Sequence, residues 1–399
     1  MNVKIEKMDD FGRGIAYIDD KVVFVPKTIV DDIVDIKIMS EKKKYSIAKV
    51  NEIINPSKLR IPFKCPYFDI CGGCSLQNVE YRIELEYKLQ KINNLLKKNK
   101  IDYQVKDIIK SAKRYNYRNK VSLKIEDNII GYYEKDTHNI VEINKCFLLN
   151  DAINDVIDDL PRLSIINGSV IIRSNLKGEL LLIIYTDKLN KDGIKYLVNK
   201  HRISGIVLND KCIFGSDFLV DKIDDYKFKI SYNSFFQVNP YICKELFKIV
   251  KDYTKDANNL IDLYSGVGTL SIVAKENASS VLGVEIIDNA AINAKTNAML
   301  NGVSNISFIA SDTNKIISYL EGKDFVIVDP PRGGLTSKVI EGIKKYQVKN
   351  ILYVSCDPNT LMRDLNLLLT DYKIIEFKLL DMFPNTYHVE SVCVLEHKN

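Results

Sequence analysis

The first fifty or so residues alternate apolar and polar positions in short runs: VKIEKM, GIAYID, KVVFVP, DIVDIKIM and YSIAKVNEII. Period-two alternation interrupted by Gly12, Gly14 and Asp19-Asp20 predicts about five short strands. That many strands in so short a segment predict a small closed barrel of the OB type. Asn55-Pro56-Ser57 ends the pattern as a linker. Over 77–100 the spacing becomes helical, with Leu85, Leu89, Ile92, Leu95 and Leu96 on one side and charges on the other. Strand patterns return over 120–230 (VSLKI, SVIIR, ELLLIIY). From about 258 short apolar runs (NLIDLY, SVLGVEI, ISFIAS, DFVIVD, NILYVS) alternate with helical segments. This is the signature of a doubly wound parallel sheet, and the last two runs, YKIIEFKLLDMF and HVESVCVLE, are expected to close it as an antiparallel pair.

The pattern divides the chain into three parts, an α/β domain plus β domains. A barrel spans 1–57, a β-rich domain spans 58–76 and 110–233, and the doubly wound domain takes 234–399 with the helical segment 77–109 packed on it. A length of 399 residues suits two or three domains, and 46% hydrophobic with 27% charged residues excludes a wholly disordered chain. The N-terminus lacks an apolar leader region, and the longest apolar stretch near the middle, Leu180 to Tyr185, falls far short of the ~20 residues of a membrane span. A soluble, cytoplasmic monomer with no membrane partner is expected.

Charge is unevenly placed. Residues 1–150 hold 28 basic against 21 acidic residues, and 88–120 holds eleven basic residues opposed only by Asp102 and Asp107. Such a zone suggests a polyanion partner, the alternative being a solvated lysine-rich helix face. Eight cysteines without a secretory leader point to metal or catalysis rather than disulfides. Cys65, Cys71 and Cys74 cluster, with Cys146 remote. Read from spacing, three close cysteines plus one suit either a cubane cluster or a zinc held by four thiolates. Cys212, Cys243 and Cys393 are assigned to packing.

Asp262-Leu263-Tyr264-Ser265-Gly266-Val267-Gly268 ends the first strand of the doubly wound part. Its glycines let backbone approach a ligand at a helix N-terminus, although Ser271 stands where a dinucleotide fingerprint has its third glycine. Glu285 ends the second strand, placed to accept ribose hydroxyls, and Asp312 ends the third, near where an adenine edge would lie. This ordered set fits S-adenosylmethionine (SAM) better than a dinucleotide. Asp329-Pro330-Pro331-Arg332 ends the fourth strand, with Arg332 where amine methyltransferases carry an aromatic residue.

Ser355-Cys356-Asp357-Pro358 ends the fifth strand just before a helix, where a thiolate is favoured by the helix N-terminus. An inert buried thiol is the usual fate of a lone cysteine, but beside a methyl donor it has a use. C5 of uracil is too poor a nucleophile to attack SAM unaided. A thiolate added at C6 makes C5 enolate-like, and a base then removes the C5 proton. Glu390 is the chosen base, with His388 as the alternative.

These residues resemble the RNA uracil-C5 methyltransferase family, in particular its iron–sulfur-containing 23S rRNA branch. The resemblance runs from G-R-G-I-A-Y and V-F-V-P of a TRAM-type barrel, through Cys65-x5-Cys71-x2-Cys74 with Cys146, Tyr117-Arg118-Asn119-Lys120 and Ser234-Phe235-Phe236-Gln237-Val238-Asn239, to Ser355-Cys356-Asp357-Pro358 with Arg363-Asp364 and His388-Val389-Glu390. It implies an OB-like TRAM barrel, a β-rich iron–sulfur domain and a class I SAM methyltransferase domain. It further implies Cys356 as nucleophile and Glu390 as general base. Gln237, Tyr264, Glu285, Asp312 and Asp329 would contact SAM, and Cys65, Cys71, Cys74 and Cys146 would hold a structural 4Fe–4S cluster. The implied partner is RNA, 23S rRNA first and tRNA as the alternative, with Phe235 or Phe236 stacking near the target. A non-catalytic RNA-binding or redox-sensing protein is the reading from another class. Ser265 and Asn385 depart from the family, the latter replacing a histidine and leaving that histidine's loop-positioning role open.

Overall fold

A computed structural model describes residues 1–135, 137–276 and 278–398. In the N-terminal part the predicted strand VKIEKM is two strands, Asn2–Lys4 and Lys7–Met8. The break has a purpose. Asn2–Lys4 pairs with Ile33–Glu41 and Lys7–Met8 with Arg13–Ile18, at opposite ends of the six-stranded order, so one segment bridges both edges and closes the barrel. Ile5 N–H donates to the Asp32 carbonyl (2.8 Å) and Glu6 N–H to that of Ile15 (2.9 Å), marking the switch. Val3, Ile5, Ala16, Val23, Val25, Val34, Ile36 and Ala48 fill the interior.

The central part is a seven-stranded sheet ordered Ile140–Glu142, Ile129–Tyr133, Lys120–Glu126, Gly168–Ser174, Leu180–Tyr185, Ile203–Leu208 and Lys211–Gly215. The hairpin Phe218–Ile223/Tyr226–Ser231 stands apart from it and buries Ile223, Tyr226, Phe228 and Ile230 in the C-terminal core. The hairpin is tied to helix Asp288–Leu300 through Asn297 and Asn301, whose amides bond the backbone of Lys229 and Lys227.

The C-terminal sheet has eight strands. Ile306–Ala310, Ser280–Glu285, Asn259–Leu263, Phe325–Val328 and Asn350–Ser355 run parallel, followed by antiparallel Glu390–His397 and Tyr372–Leu380, then the short Ile108–Ile109. Alternate residues serve two cores. Leu260, Ile327 and Leu352 face helices Pro240–Tyr253 and Thr269–Ala274, while Ile261, Val326 and Ile351 face Ser337–Lys345, Pro358–Leu368 and Tyr81–Lys98. Helix Tyr81–Lys98 thus adds Ile92, Leu95 and Leu96 to a core made mostly by residues beyond 260. All strand ends that carry candidate chemistry meet at one edge of this sheet.

Candidate active site

The methyl-donor side is built at the end of Asn259–Leu263. Tyr264 and Gly266 take positive φ (68° and 55°), and a side chain on Gly266 would meet no atom within 4 Å, so the turn faces open space where a ligand can approach. Glu285 accepts from the Gly266 and Ile287 N–H groups (2.9 Å each), which fixes its carboxylate beside that turn. Asp262 and Ser265 are buried, and among the described residues Asp262 Oδ1 and Ser265 Oγ have no hydrogen-bond partner. Unsatisfied buried polar atoms beside an open turn fit a polar cofactor. Ser271, out of place in a dinucleotide fingerprint, donates to Asp262 Oδ2. Tyr264 Oη accepts from Thr313 (3.3 Å), while Asp312 already caps the turn Thr313–Lys315 by accepting from Asn314 N–H (2.9 Å). Gln237 sits on the segment pinned by Asn119, which bonds the carbonyls of Gln237 (3.2 Å) and Val238 (3.0 Å). Of the two phenylalanines there, Phe236 is buried against Phe228 and does not meet solvent, whereas Phe235 is 65% exposed.

The candidate nucleophile and the candidate base lie at the ends of two paired strands. Ser355 pairs with Ser391 in antiparallel register, which sets Cys356 beside Glu390, and Asp329 ends the next strand over. Burial pushes the Asp329 carboxyl up to about 7 and Glu390 well above its ordinary range, with the two carboxyls opposing each other's ionisation. Burial, then Glu390 and Asp329, push the Cys356 thiol up to about 11 against the opposing charge of Arg332. Burial and the two carboxyls thus oppose the thiolate expected at the helix N-terminus. His388 is pushed down to about 4 by burial and then Arg332, so it is a neutral ring stacked on Tyr387 at 4.1 Å.

The loop carrying Glu390 is anchored from a distance. Asn385 is fully buried at φ 68°. Its N–H donates to Glu84 Oε1 (2.5 Å), its amide to the Arg114 carbonyl (2.7 Å), and its carbonyl accepts from Ser75 (3.0 Å) and Leu76 (3.1 Å). Asn385 thus fixes the loop through its backbone and amide. Beneath it lies a buried charge network that the sequence alone did not reveal. Lys88 donates to Glu84 (2.9 Å) and Asp381 (2.5 Å), Arg114 pairs with Glu84 (3.0 Å), and Tyr81 donates to Asp381 (2.6 Å). The i,i+4 pair Glu84 and Lys88 was its only visible signal. Arg363 bonds the carbonyls of Gly333 and Leu335 while Asp364 accepts from Leu335 N–H (2.7 Å), holding the loop that follows Asp329.

Cys65, Cys71, Cys74 and Cys146 all line one cavity of about 150 Å³, together with Phe68 and Tyr132. All four are free thiols. Burial raises Cys65 and Cys71 and carries Cys74 up to about 12, and nearby thiols add to each shift. Among the described residues, no three of His, Cys, Asp or Glu converge tightly enough to hold a single metal ion. The four thiols share this space without forming a single-ion site. Lys27 reaches in from the barrel, donating to the carbonyls of Cys71 (3.2 Å) and Cys74 (2.5 Å) and lying 4.2 Å over Phe68. Cys243 and Cys393 are buried as expected, but Cys212 is exposed on the outermost strand of the central sheet, contrary to its assignment to packing.

A doubly wound sheet with an open glycine turn, an acid bonded to that turn and buried polar atoms defines a class I SAM-dependent methyltransferase fused to an N-terminal barrel. The comparisons narrow this. The family profile described as tRNA (Uracil-5-)-methyltransferase matches residues 80–398, and that of the TRAM domain matches 1–50. An RNA methyltransferase of Clostridium tetani is 33% identical over 99% of this chain and 96% of its own length, and one of Caldanaerobacter subterraneus is 35% identical over 99% and 97%. The crystal structure of the Pyrococcus abyssi tRNA (uracil-54, C5)-methyltransferase with S-adenosyl-L-homocysteine superposes with a TM-score of 0.83, at 27% identity, covering 99% of this chain and all of that one. The chain belongs to the tRNA (uracil-5-)-methyltransferase family and is a SAM-dependent RNA uracil-C5 methyltransferase. No helix among the described residues is long and apolar enough to cross a membrane.

Proposed function

We propose that this enzyme methylates C5 of a uridine in 23S rRNA through a covalent adduct between Cys356 and C6. The observation that carries the mechanism is the register that sets Cys356 beside Glu390, with Asp329 on the adjoining strand. SAM, when bound, supplies an electrophilic methyl group and a positive sulfonium next to these acids. Gln237, Tyr264, Glu285, Asp312 and Asp329 are its contacts in this reading, with Gly266 leaving room for it. Asp329 takes the Cys356 proton, which leaves Glu390 free for the later step, and the thiolate adds to C6. The C5=C6 electron pair moves onto C5 and its carbonyl, and C5 takes the methyl as the S–CH3 bond breaks, its electron pair staying on a sulfur that becomes a neutral thioether. Glu390 then takes the C5 proton, the C5=C6 bond re-forms and the thiolate leaves. A carboxyl whose pKa is raised by burial is suited to hold and release that proton.

Cys65, Cys71, Cys74 and Cys146 in this reading hold a 4Fe–4S cluster, which cross-links the central domain and has no part in the methyl transfer. The preference for 23S rRNA rests on the four-cysteine motif and on the segments Tyr117-Arg118-Asn119-Lys120 and Ser234-Phe235-Phe236-Gln237. A tRNA target is the second reading, favoured by the similarity to the Pyrococcus abyssi enzyme. Mapping 5-methyluridine in rRNA and tRNA of a deletion strain, with complementation, tests the choice. Loss confined to 23S rRNA is expected; loss confined to tRNA overturns it.

A further inference from the structure

Phe11 stands at the tip of the hairpin joining Lys7–Met8 to Arg13–Ile18, and 49% of its surface is exposed. The turn carrying it is tightly tied. Asp9 Oδ1 accepts from the N–H groups of Phe11 (2.9 Å) and Arg13 (2.8 Å), Asp9 Oδ2 accepts from Arg13 Nε (2.7 Å), and Gly12 N–H donates to the Asp9 carbonyl (3.1 Å). Gly12 takes φ 69° and sits so close to its neighbours that an added Cβ would lie 3.1 Å from Ser75 Oγ and 3.3 Å from Tyr387 Cβ. The hairpin is thereby seated against the loop that carries Glu390.

The ring joins an aromatic series running toward the site. Phe11 meets Tyr387 edge-on at 5.6 Å, and Tyr387 overlaps His388 at 4.1 Å. Arg13, ion-paired to Asp9, lies 5.3 Å from the Phe11 centroid, and Lys91, which also feels Asp10, Asp357 and Asp9, lies 5.3 Å from that of Tyr387. Arg332, which acts on the Cys356 thiol, also acts on Tyr387 and His388. A rigidly presented, half-exposed phenyl ring at the edge of the catalytic loop, with Lys91 near by, suits a flat group on an anionic chain. A nucleobase next to the target uridine is such a group, since the uridine itself must leave its stack to reach Cys356. The site spans two domains, so the barrel and the catalytic loop form one rim.

We propose that Phe11 is a stacking platform for a nucleobase flanking the target uridine, with Lys91 supplying positive charge along the RNA strand. This rests on the RNA-methylating activity but not on the covalent mechanism. The test uses the full-length holoprotein and a labelled single-stranded oligoadenosine with one central uridine. Matched oligomers carry an abasic residue at each flanking position in turn. Phe11→Ala should weaken binding of the intact oligomer about five- to hundredfold, Phe11→Tyr should restore it, and SAM affinity should not change. One abasic oligomer should lose a similar factor with the wild type, yet lose less than about twofold more with Phe11→Ala, because both changes remove the same stacking interaction. Losses that multiply, an unchanged Phe11→Ala affinity, or a wild type without measurable affinity for the oligomer would each overturn the platform. Multiplying losses would reduce Phe11 to a seat for the barrel. A 5-fluorouridine adduct formed normally alongside an unchanged Phe11→Ala affinity would reject the platform and leave the covalent chemistry standing.

Discussion

Burial, then Glu390 and Asp329, hold the Cys356 thiol up at about 11, while Arg332 and a backbone hydrogen bond favour the thiolate. The sign follows directly. Below that pKa the reactive thiolate is the minor form, and each pH unit raised increases it about tenfold. Alkylation mapped to Cys356 by mass spectrometry, in protein without SAM or RNA, should therefore rise about tenfold per pH unit and level off near about 11. Arg332→Ala should slow alkylation at any pH below the plateau, and Glu390→Gln should speed it. A profile already flat at neutral pH would contradict the arrangement. These residues were legible in the sequence because each ends a short apolar run, and strand ends in a doubly wound sheet share an edge. The direction of the thiol shift was not legible, since it depends on two acids that only the sheet register brings beside Cys356.

The loop from Asp381 to Glu390 depends on helix Tyr81–Lys98. Lys88 is fully buried between Glu84 and Asp381, and it also bonds the Phe383 carbonyl at 3.2 Å. Removing one partner of a buried ion pair leaves a charge without compensation, which costs about 3–5 kcal/mol. Lys88→Met should lower the denaturant midpoint accordingly and reduce turnover, while SAM affinity measured by calorimetry stays the same. Parallel loss of SAM affinity would show that the network supports the whole sheet rather than this loop. In sequence, Glu84 and Lys88 read as an ordinary surface pair at helical spacing. Nothing local to either residue points to Asp381, which becomes a neighbour only when the helix joins the C-terminal core. The basic stretch 88–120 divides for the same reason. Lys88 is internal and Arg114 is ion-paired to Glu84, whereas Lys110 and Lys113 are exposed. Neutralising Lys110 and Lys113 together should weaken RNA binding and flatten its salt slope by about 0.7 for each phosphate no longer neutralised. An unchanged slope would assign both to a solvated face.

Across the whole molecule, the three parts meet around the loop of Glu390. The barrel touches it through Gly12 and Phe11, and the cysteine segment touches it through the N–H groups of Ser75 and Leu76. The barrel also sends Lys27 to the cysteine cavity, where its ammonium bonds two ligand-loop carbonyls. A buried cation beside four thiols offsets the negative charge that thiolate ligands bring to a cluster. Anaerobically purified protein should therefore be brown, with about four irons and matching labile sulfide per chain. Lys27→Met should lose iron faster on exposure to air, read by absorbance and metal content. Stoichiometric zinc without sulfide would contradict the cluster. The barrel, the parallel sheet and the antiparallel closure were all visible as hydrophobic periodicity. Closure of the barrel by one broken strand was not, because Ile5 and Glu6 continue the alternation through the switch.

The covalent pathway is tested most directly with target RNA carrying 5-fluorouridine. Addition of Cys356 at C6 and methylation at C5 leave fluorine where a proton would be removed, so the complex is trapped and survives denaturing electrophoresis with the methyl group aboard. Cys356→Ala should form no adduct, and Glu390→Gln should accumulate a methylated adduct even on ordinary uridine RNA. A Cys356→Ala enzyme that still methylates would contradict the nucleophile, and a Glu390→Gln enzyme that turns over normally would contradict the base.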